Sequence, residues 1–215
     1  MGSWQDREKG RQRDAKNVTA MSKFAPLLIL CLCLADSTAG LGYQGQSSVE
    51  VSAIDTYAKK IDLFIKRNKN RQRIFANVSN DNADRWREFK NESERDKLND
   101  EKNLSETALV WSKSRKVMGA NFTFQSGSGD WVQYVMYYFR DDGSLAKIQA
   151  QLNTFHGNIG VARDKYYSRS GRLLSTKTRY LDLESQKPIR HRPDFMDQEI
   201  PLYQSVRRLP FFKQW

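Results

Sequence analysis

Between Thr107 and Leu183 the apolar residues fall at alternate positions, in runs of seven to eleven residues separated by turn-forming sequences. A period of two is that of a β-strand with one face in a core, so this half of the chain is constrained to strands. The candidate strands are Thr107–Lys113, Lys116–Gln125, Trp131–Arg140, Leu145–Phe155, Val161–Arg169 and Leu173–Leu183. Ser126-Gly127-Ser128-Gly129-Asp130, Asp141-Asp142-Gly143, His156-Gly157-Asn158 and Ser170-Gly171 mark turns between them. Short links of this kind join antiparallel neighbours, which predicts a meander.

Asp141-Asp142-Gly143 suits a three-residue hairpin loop with glycine at the left-handed position, which sets Arg140 opposite Ser144. Counting back pairs Tyr138 with Ala146, Met136 with Ile148, Tyr134 with Ala150 and Val132 with Leu152. All four pairs are apolar or aromatic, so the pattern favours this register. Arg169-Ser170-Gly171 resembles the same loop and pairs Tyr167 with Leu173, Tyr166 with Leu174, Arg163 with Lys177 and Val161 with Arg179. The two hairpins form a weak internal repeat.

Ahead of the strands the period is helical. Ile54, Tyr57, Ala58, Ile61, Phe64 and Ile65 define one face of an amphipathic helix over about 49–67, with Ser47 and Glu50 at capping-box spacing. Gly40–Ser48 reads as a flexible leader. Residues 68–103 are polar and rich in asparagine; Trp86 and Phe89, three apart, suggest a short helix over about 83–98. The segment Pro188–Trp215 holds four of the five prolines and is expected to lie as coil over the sheet edge, docked by Phe211, Phe212 and Trp215. The fold class expected is therefore α+β, an N-terminal amphipathic helix packed on an antiparallel meander of five to six strands, cystatin- or NTF2-like in style. It forms a single domain over 49–215.

Residues 21–39 read as a cleavable export signal. Lys23 precedes the 12-residue apolar run Phe24–Ala35, and Ser37-Thr38-Ala39 places small residues before a cut at Gly40. The run is too short to span a bilayer, which takes about 20 residues. Met21 is the more ordinary start for such a signal than Met1. Both cysteines, Cys31 and Cys33, lie inside the run, so the processed chain would carry no thiol, disulfide or cysteine-bound metal. Processing leaves 30 basic against 21 acidic side chains, where the whole chain has 36 and 25. The basic balance thus belongs to the domain and favours anionic partners.

Candidate chemistry is sparse. The only histidines are His156, in a turn, and His191, between Arg190 and Arg192; no ligand spacing for zinc joins them. No catalytic residue, cofactor or metal site is assigned. Asn77, Asn91, Asn103 and Asn121 open glycosylation sequons, which would matter in a eukaryotic secretory route. The feature with most charge is Arg163, Lys165, Lys177 and Arg179 on two neighbouring strands. Like charges set opposite one another are unfavourable, so nearby carboxylates such as Asp164 and Asp182, or an anionic ligand, should compensate.

The segments Asp130-Trp131, Tyr137-Tyr138-Phe139-Arg140, Gly143, Leu145-Ala146, Leu152-Asn153-Thr154-Phe155, Tyr180-Leu181-Asp182-Leu183 and Lys187-Pro188 resemble a group of uncharacterised exported bacterial proteins over about residues 107–212. That resemblance implies no activity, cofactor or site. The Tyr-Tyr hairpins are also similar to MORN-like repeats, whose spacing is shorter than that from Tyr137 to Tyr166. The leading functional expectation is an exported, non-enzymatic binding or accessory protein of the cell envelope. Its basic sheet face would meet an anionic polymer, lipid or protein. The alternative is a secreted hydrolase using His156 with Asp141 or Asp164, and a nucleic-acid binder ranks third because export argues against it.

Overall fold

The computed structural model describes residues 39–79, 85–102, 104–190 and 194–214. The export signal, apart from Ala39, lies outside the described residues, as do His191, Asn103 and Trp215. In chain order the elements are α1 (Ala39–Arg67), β1 (Arg73–Asn77), β2 (Trp86–Phe89), α2 (Glu92–Lys102), β3 (Glu106–Lys113) and β4 (Lys116–Gln125). They continue as β5 (Trp131–Phe139), β6 (Leu145–Thr154), β7 (Ile159–Tyr167), β8 (Leu173–Asp182) and β9 (Pro188–Ile189). The strands form one open antiparallel sheet in the order β2-β1-β3-β4-β5-β6-β7-β8-β9. The described residues are mixed α and β, as the periodicity implies, with nine strands among them where five to six were expected.

The added strands are those whose sequence hides them. In β1, Ile74, Phe75 and Ala76 are consecutive and all buried, so no alternation marks the strand. In β2, Trp86 and Phe89 are both buried although three apart. In a strand that spacing sends them to opposite faces. Trp86 joins the aromatic core, and Phe89 joins Ile74, Ala76 and Leu104. The helix expected over 83–98 is thus a strand followed by α2. Asn91 starts that helix, its Oδ1 accepting from the Glu94 amide at 2.9 Å.

α1 begins at Ala39, so the expected leader 40–48 is helical and the Ser47–Glu50 spacing lies within the helix. Its apolar stripe docks on one face of the sheet. Ile54 meets Ala146 and Tyr166, while Ala58 and Ile61 meet Tyr138. Lys66 and Arg67 in the last turn suit the negative end of the helix dipole.

Both predicted hairpin loops form, and both registers then slip by one residue. Arg140 N–H donates to Ser144 O at 2.8 Å, and Ser168 N–H to Arg172 O at 2.9 Å. Phe139 pairs with Leu145 and Tyr167 with Leu173, as counted, but a bulge follows in each hairpin. Beyond it Tyr138 faces Lys147, Met136 faces Gln149, Tyr166 faces Ser175 and Asp164 faces Lys177. One extra residue, Ala146 in β6 and Leu174 in β8, exchanges the faces of everything beyond it. The repeat therefore extends to the bulge, with Gly143 at φ 81° and Gly171 at φ 82° in equivalent places.

The β3–β4 connection is of another kind. Ser114 and Arg115 form its two-residue turn with φ of 50° and 64°. Such a turn favours Asn-Gly, because a side chain in the left-handed region costs roughly 1–2 kcal/mol per residue.

The second sheet face holds the larger core. Phe122, Val135, Tyr137, Phe139, Ile148 and Ala150 are buried there under the C-terminal segment 194–214. This segment crosses the sheet face as a strap rather than lying along its edge. Tyr137 Oη donates to Pro201 O at 2.6 Å, and Phe211 stacks on Phe75 with ring centroids 4.2 Å apart. The strap also passes over the β6–β7 turn, where Gly157 has φ 77° and a Cβ would stand 2.8 Å from Asp194 O. Gly157→Ala is expected to cost about 1–3 kcal/mol in a thermal melt, from backbone strain together with the clash. An unchanged melt would show that the strap does not touch the turn.

Candidate functional site

The bulge in the second hairpin divides the four predicted anion-binding residues between the two faces of the sheet. Arg163 pairs with Thr178 and Lys165 with Thr176, on the face under the strap. Lys177 pairs with Asp164 and Arg179 with Ala162, on the face that carries α1. The expected opposition of Arg163 to Lys177 does not occur. Arg163 is committed to the strap through two hydrogen bonds to Asp197, at 2.8 and 2.6 Å. Lys165 is half-buried beside it in sequence. Lys177 and Arg179 remain together, with side chains 55% and 68% exposed and their nearest carboxylate oxygens, on Asp55 and Asp164, at 3.9 Å.

Two rows of side chains run across the α1 face below the helix. One is Asn121, Met136, Gln149, Asp164 and Lys177; the next is Thr123, Tyr134, Gln151, Ala162 and Arg179. They line an open cleft of about 240 Å³ that includes Tyr134, Gln149, Gln151, Asp164 and Arg179. Tyr134 is 44% exposed, unusual for a ring in the middle of a nine-stranded sheet. The amides offer donors and acceptors side by side, the ring an apolar platform, and Arg179 positive charge at one rim, with Lys177 next to it on the same face over the Tyr166 ring. Without the bulge Tyr134 would pair with Ala150; with it Tyr134 pairs with Gln151 and joins the polar rows.

Above this cleft a charged network ties α1 to the sheet. Lys147, 8% exposed, donates to Asp55 Oδ1 at 2.9 Å and lies 3.2 Å from Asp164 Oδ1. Tyr166 Oη donates to Asp55 at 2.9 Å. Tyr138 Oη donates to Asp62 Oδ1 at 2.9 Å and lies 3.0 Å from the Gln149 amide oxygen. Burial alone would raise the Asp55 carboxyl, but the hydrogen bonds from Lys147 and Tyr166 and the charge of Lys147 hold it below the ordinary range. Burial would likewise lower Lys147, yet its bond to Asp55 and the charge of Asp164 raise it. The Tyr138 phenol is pushed up chiefly by burial and then by Asp62. Asp55 and Lys147 therefore stay ionised, and the Tyr138 phenol neutral, across the physiological range.

His156 occupies the exposed β6–β7 turn, and its backbone N–H donates to Thr154 Oγ1 at 3.2 Å. Asp141 lies in the β5–β6 loop at the opposite end of the meander, and Asp164 sits in mid-β7 on the α1 face. The two acids proposed to assist His156 are thus not gathered at its turn. Of the sequon asparagines, Asn91 caps α2, and the Asn77 Oδ1 accepts from the Ser79 and Arg85 amides, both at 3.2 Å. Asn121 lies within the polar rows.

The fold and this face define an α+β chain built on an open sheet, sealed on one side by its own C-terminal strap and partly open beneath a helix on the other. Comparison with known protein families, characterised proteins and solved structures finds no match to it. Among the described residues no helix is long and apolar enough to cross a membrane.

Proposed function

We propose that this chain is an exported, non-enzymatic binding protein whose polar sheet face takes an anionic polysaccharide-type polymer of the cell envelope. One observation carries the reading. The open half of the α1 face sets an exposed ring, Tyr134, among the side chains of Asn121, Gln149 and Gln151, with the exposed Arg179 at its rim and Lys177 two residues along the same strand, over the Tyr166 ring. A sugar acid needs hydroxyl donors and acceptors, an apolar platform for its C–H face, and positive charge for its carboxylate. All three occur on neighbouring strands. The anion-binding role inferred for four residues is here kept for Lys177 and Arg179, since Arg163 is occupied by Asp197. The cystatin- or NTF2-like analogy adds nothing to this reading, because a fold does not specify a function.

The test is calorimetric titration of the full chain with oligogalacturonate. Binding should weaken as salt is raised. Lys177→Gln combined with Arg179→Gln should weaken it about tenfold and flatten the salt dependence, whereas Tyr134→Ala should weaken it at every salt concentration. Unchanged affinity in both variants would reject the site. Export is tested separately, by sequencing the N-terminus of protein from the native host: Gly40 is expected, and an intact Met1 or Met21 would overturn it.

A further inference from the structure

The β3–β4, β5–β6 and β7–β8 turns gather at one end of the meander, and the polysaccharide reading uses none of them. A second cleft of about 320 Å³ opens there, lined by Arg115, Lys116, Arg140 and Arg207 with Val206 and Phe212 among its apolar walls. We propose that this cleft binds a phosphate ester group, as in a phospholipid headgroup or a free organic phosphate ester.

The first support is charge. Four cationic side chains face two acidic ones, Asp141 and Asp142. Asp142 is already paired with Arg169 at 2.7 Å. Arg140 donates to Leu145 O and Tyr167 O, so it contributes a fixed charge rather than free donors. Arg115, Lys116 and Arg207 are exposed and have no carboxylate partner among the described residues. Arg115 and Lys116 come from the β3–β4 turn and the start of β4, and Arg207 from the strap, so they approach the cleft from two opposite sides. A tetrahedral phosphate offers oxygens in several directions, where a planar carboxylate matches a single fork.

The second support is the backbone. Ser114 and Arg115 hold left-handed conformations that Asn-Gly would hold without strain. Strain of this kind persists where it serves a site, and Arg115 is a lining residue of the cleft. The opposite wall is built rather than loose. Val206 N–H donates to Gly143 O at 3.0 Å, Ser205 bridges to Ser144, and the tight turn Val206–Arg208 brings Arg207 to the opening.

The experiment separates binding from stability. Ser114→Asn with Arg115→Gly installs the sequence this turn prefers, so the melting temperature should hold or rise while affinity falls about tenfold. Arg207→Gln, on the opposite wall, should weaken binding similarly without touching the turn. The probes are phosphatidylglycerol vesicles, phosphatidylcholine vesicles and soluble glycerol 3-phosphate, each with the full chain. Capture by phosphatidylglycerol but not phosphatidylcholine supports a headgroup. Binding of glycerol 3-phosphate supports a free ester. The proposal is overturned if neither phosphatidylglycerol nor glycerol 3-phosphate binds, if both vesicles bind equally, or if both variants keep the affinity of the parent chain.

Discussion

Phe211→Ala is expected to destabilise the chain by about 3–5 kcal/mol, the range for deleting a fully buried aromatic side chain. Phe211 is 1% exposed and closes the aromatic core from outside the sheet. Its ring lies 4.2 Å from Phe75, 5.3 Å from Trp86 and 5.7 Å from Phe122. The strap has little regular structure of its own, so its order depends on anchors such as this one. Urea unfolding should show the loss, and limited proteolysis should show earlier cleavage between Asp194 and Leu209. Leu202→Ala is the control on the same segment. At 50% exposure it should change stability by no more than about 0.5 kcal/mol. Equal effects at the two positions would mean that the strap does not seal the core.

Lys147→Ala should cost about 1–3 kcal/mol, for a different reason. Removing the lysine leaves Asp55 and Asp164 facing each other in a half-buried site without their common cation. Adding Asp55→Asn and Asp164→Asn should recover part of that loss, since it removes two like charges that Lys177 and Arg179, each at 3.9 Å, offset only in part. The same network sets a pH window for stability. Asp55 titrates below its ordinary 3.8 in the folded chain, so its contribution is present above that value and is lost as pH falls through the folded pKa. Lys147 titrates above its ordinary 10.5, so its contribution is complete below 10.5 and is lost as pH rises through the folded pKa. Denaturant midpoints measured between those limits should be level on account of this pair. A Lys147→Ala chain with an unaltered midpoint would show that α1 is held by its apolar stripe alone.

The six central strands were legible in the sequence because alternation is a property of each strand by itself. β4 was found to the residue, and the others within two residues at each end. β1, β2 and β9 were not, because each takes its identity from a neighbour. Ile74-Phe75-Ala76 is a short apolar run, and Trp86 with Phe89 has helical spacing until both faces of the strand are seen to be covered. Two bulges hide the candidate site. A bulge at Leu174 is invisible to a count from the turn, yet it moves Lys177 opposite Asp164 and leaves Arg163 on the other face. The buried Lys147 is equally hidden. With Ala146 as the extra residue, a lysine that alternation assigned to the polar face lies beneath α1 instead.

A sheet that does not close into a barrel must finish somewhere, and this one finishes in its two shortest strands, β2 of four residues and β9 of two. Unpaired backbone groups on a long, flat border invite another chain to add on, the route to fibrils and swapped dimers. At the other end β9 covers only Tyr180 and Leu181 of β8, and half of it is Pro188, which has no amide proton to offer; the rest of that border is β8 itself, where Lys177 and Arg179 are exposed. At the β2 border, Arg87 and Glu88 are exposed and ionic, Arg87 pairing with Glu94 and Glu88 with Arg73. An incoming strand would have to disturb those pairs. Among the described residues both borders of the sheet thus carry charged side chains, the feature by which an open sheet discourages the addition of a further strand.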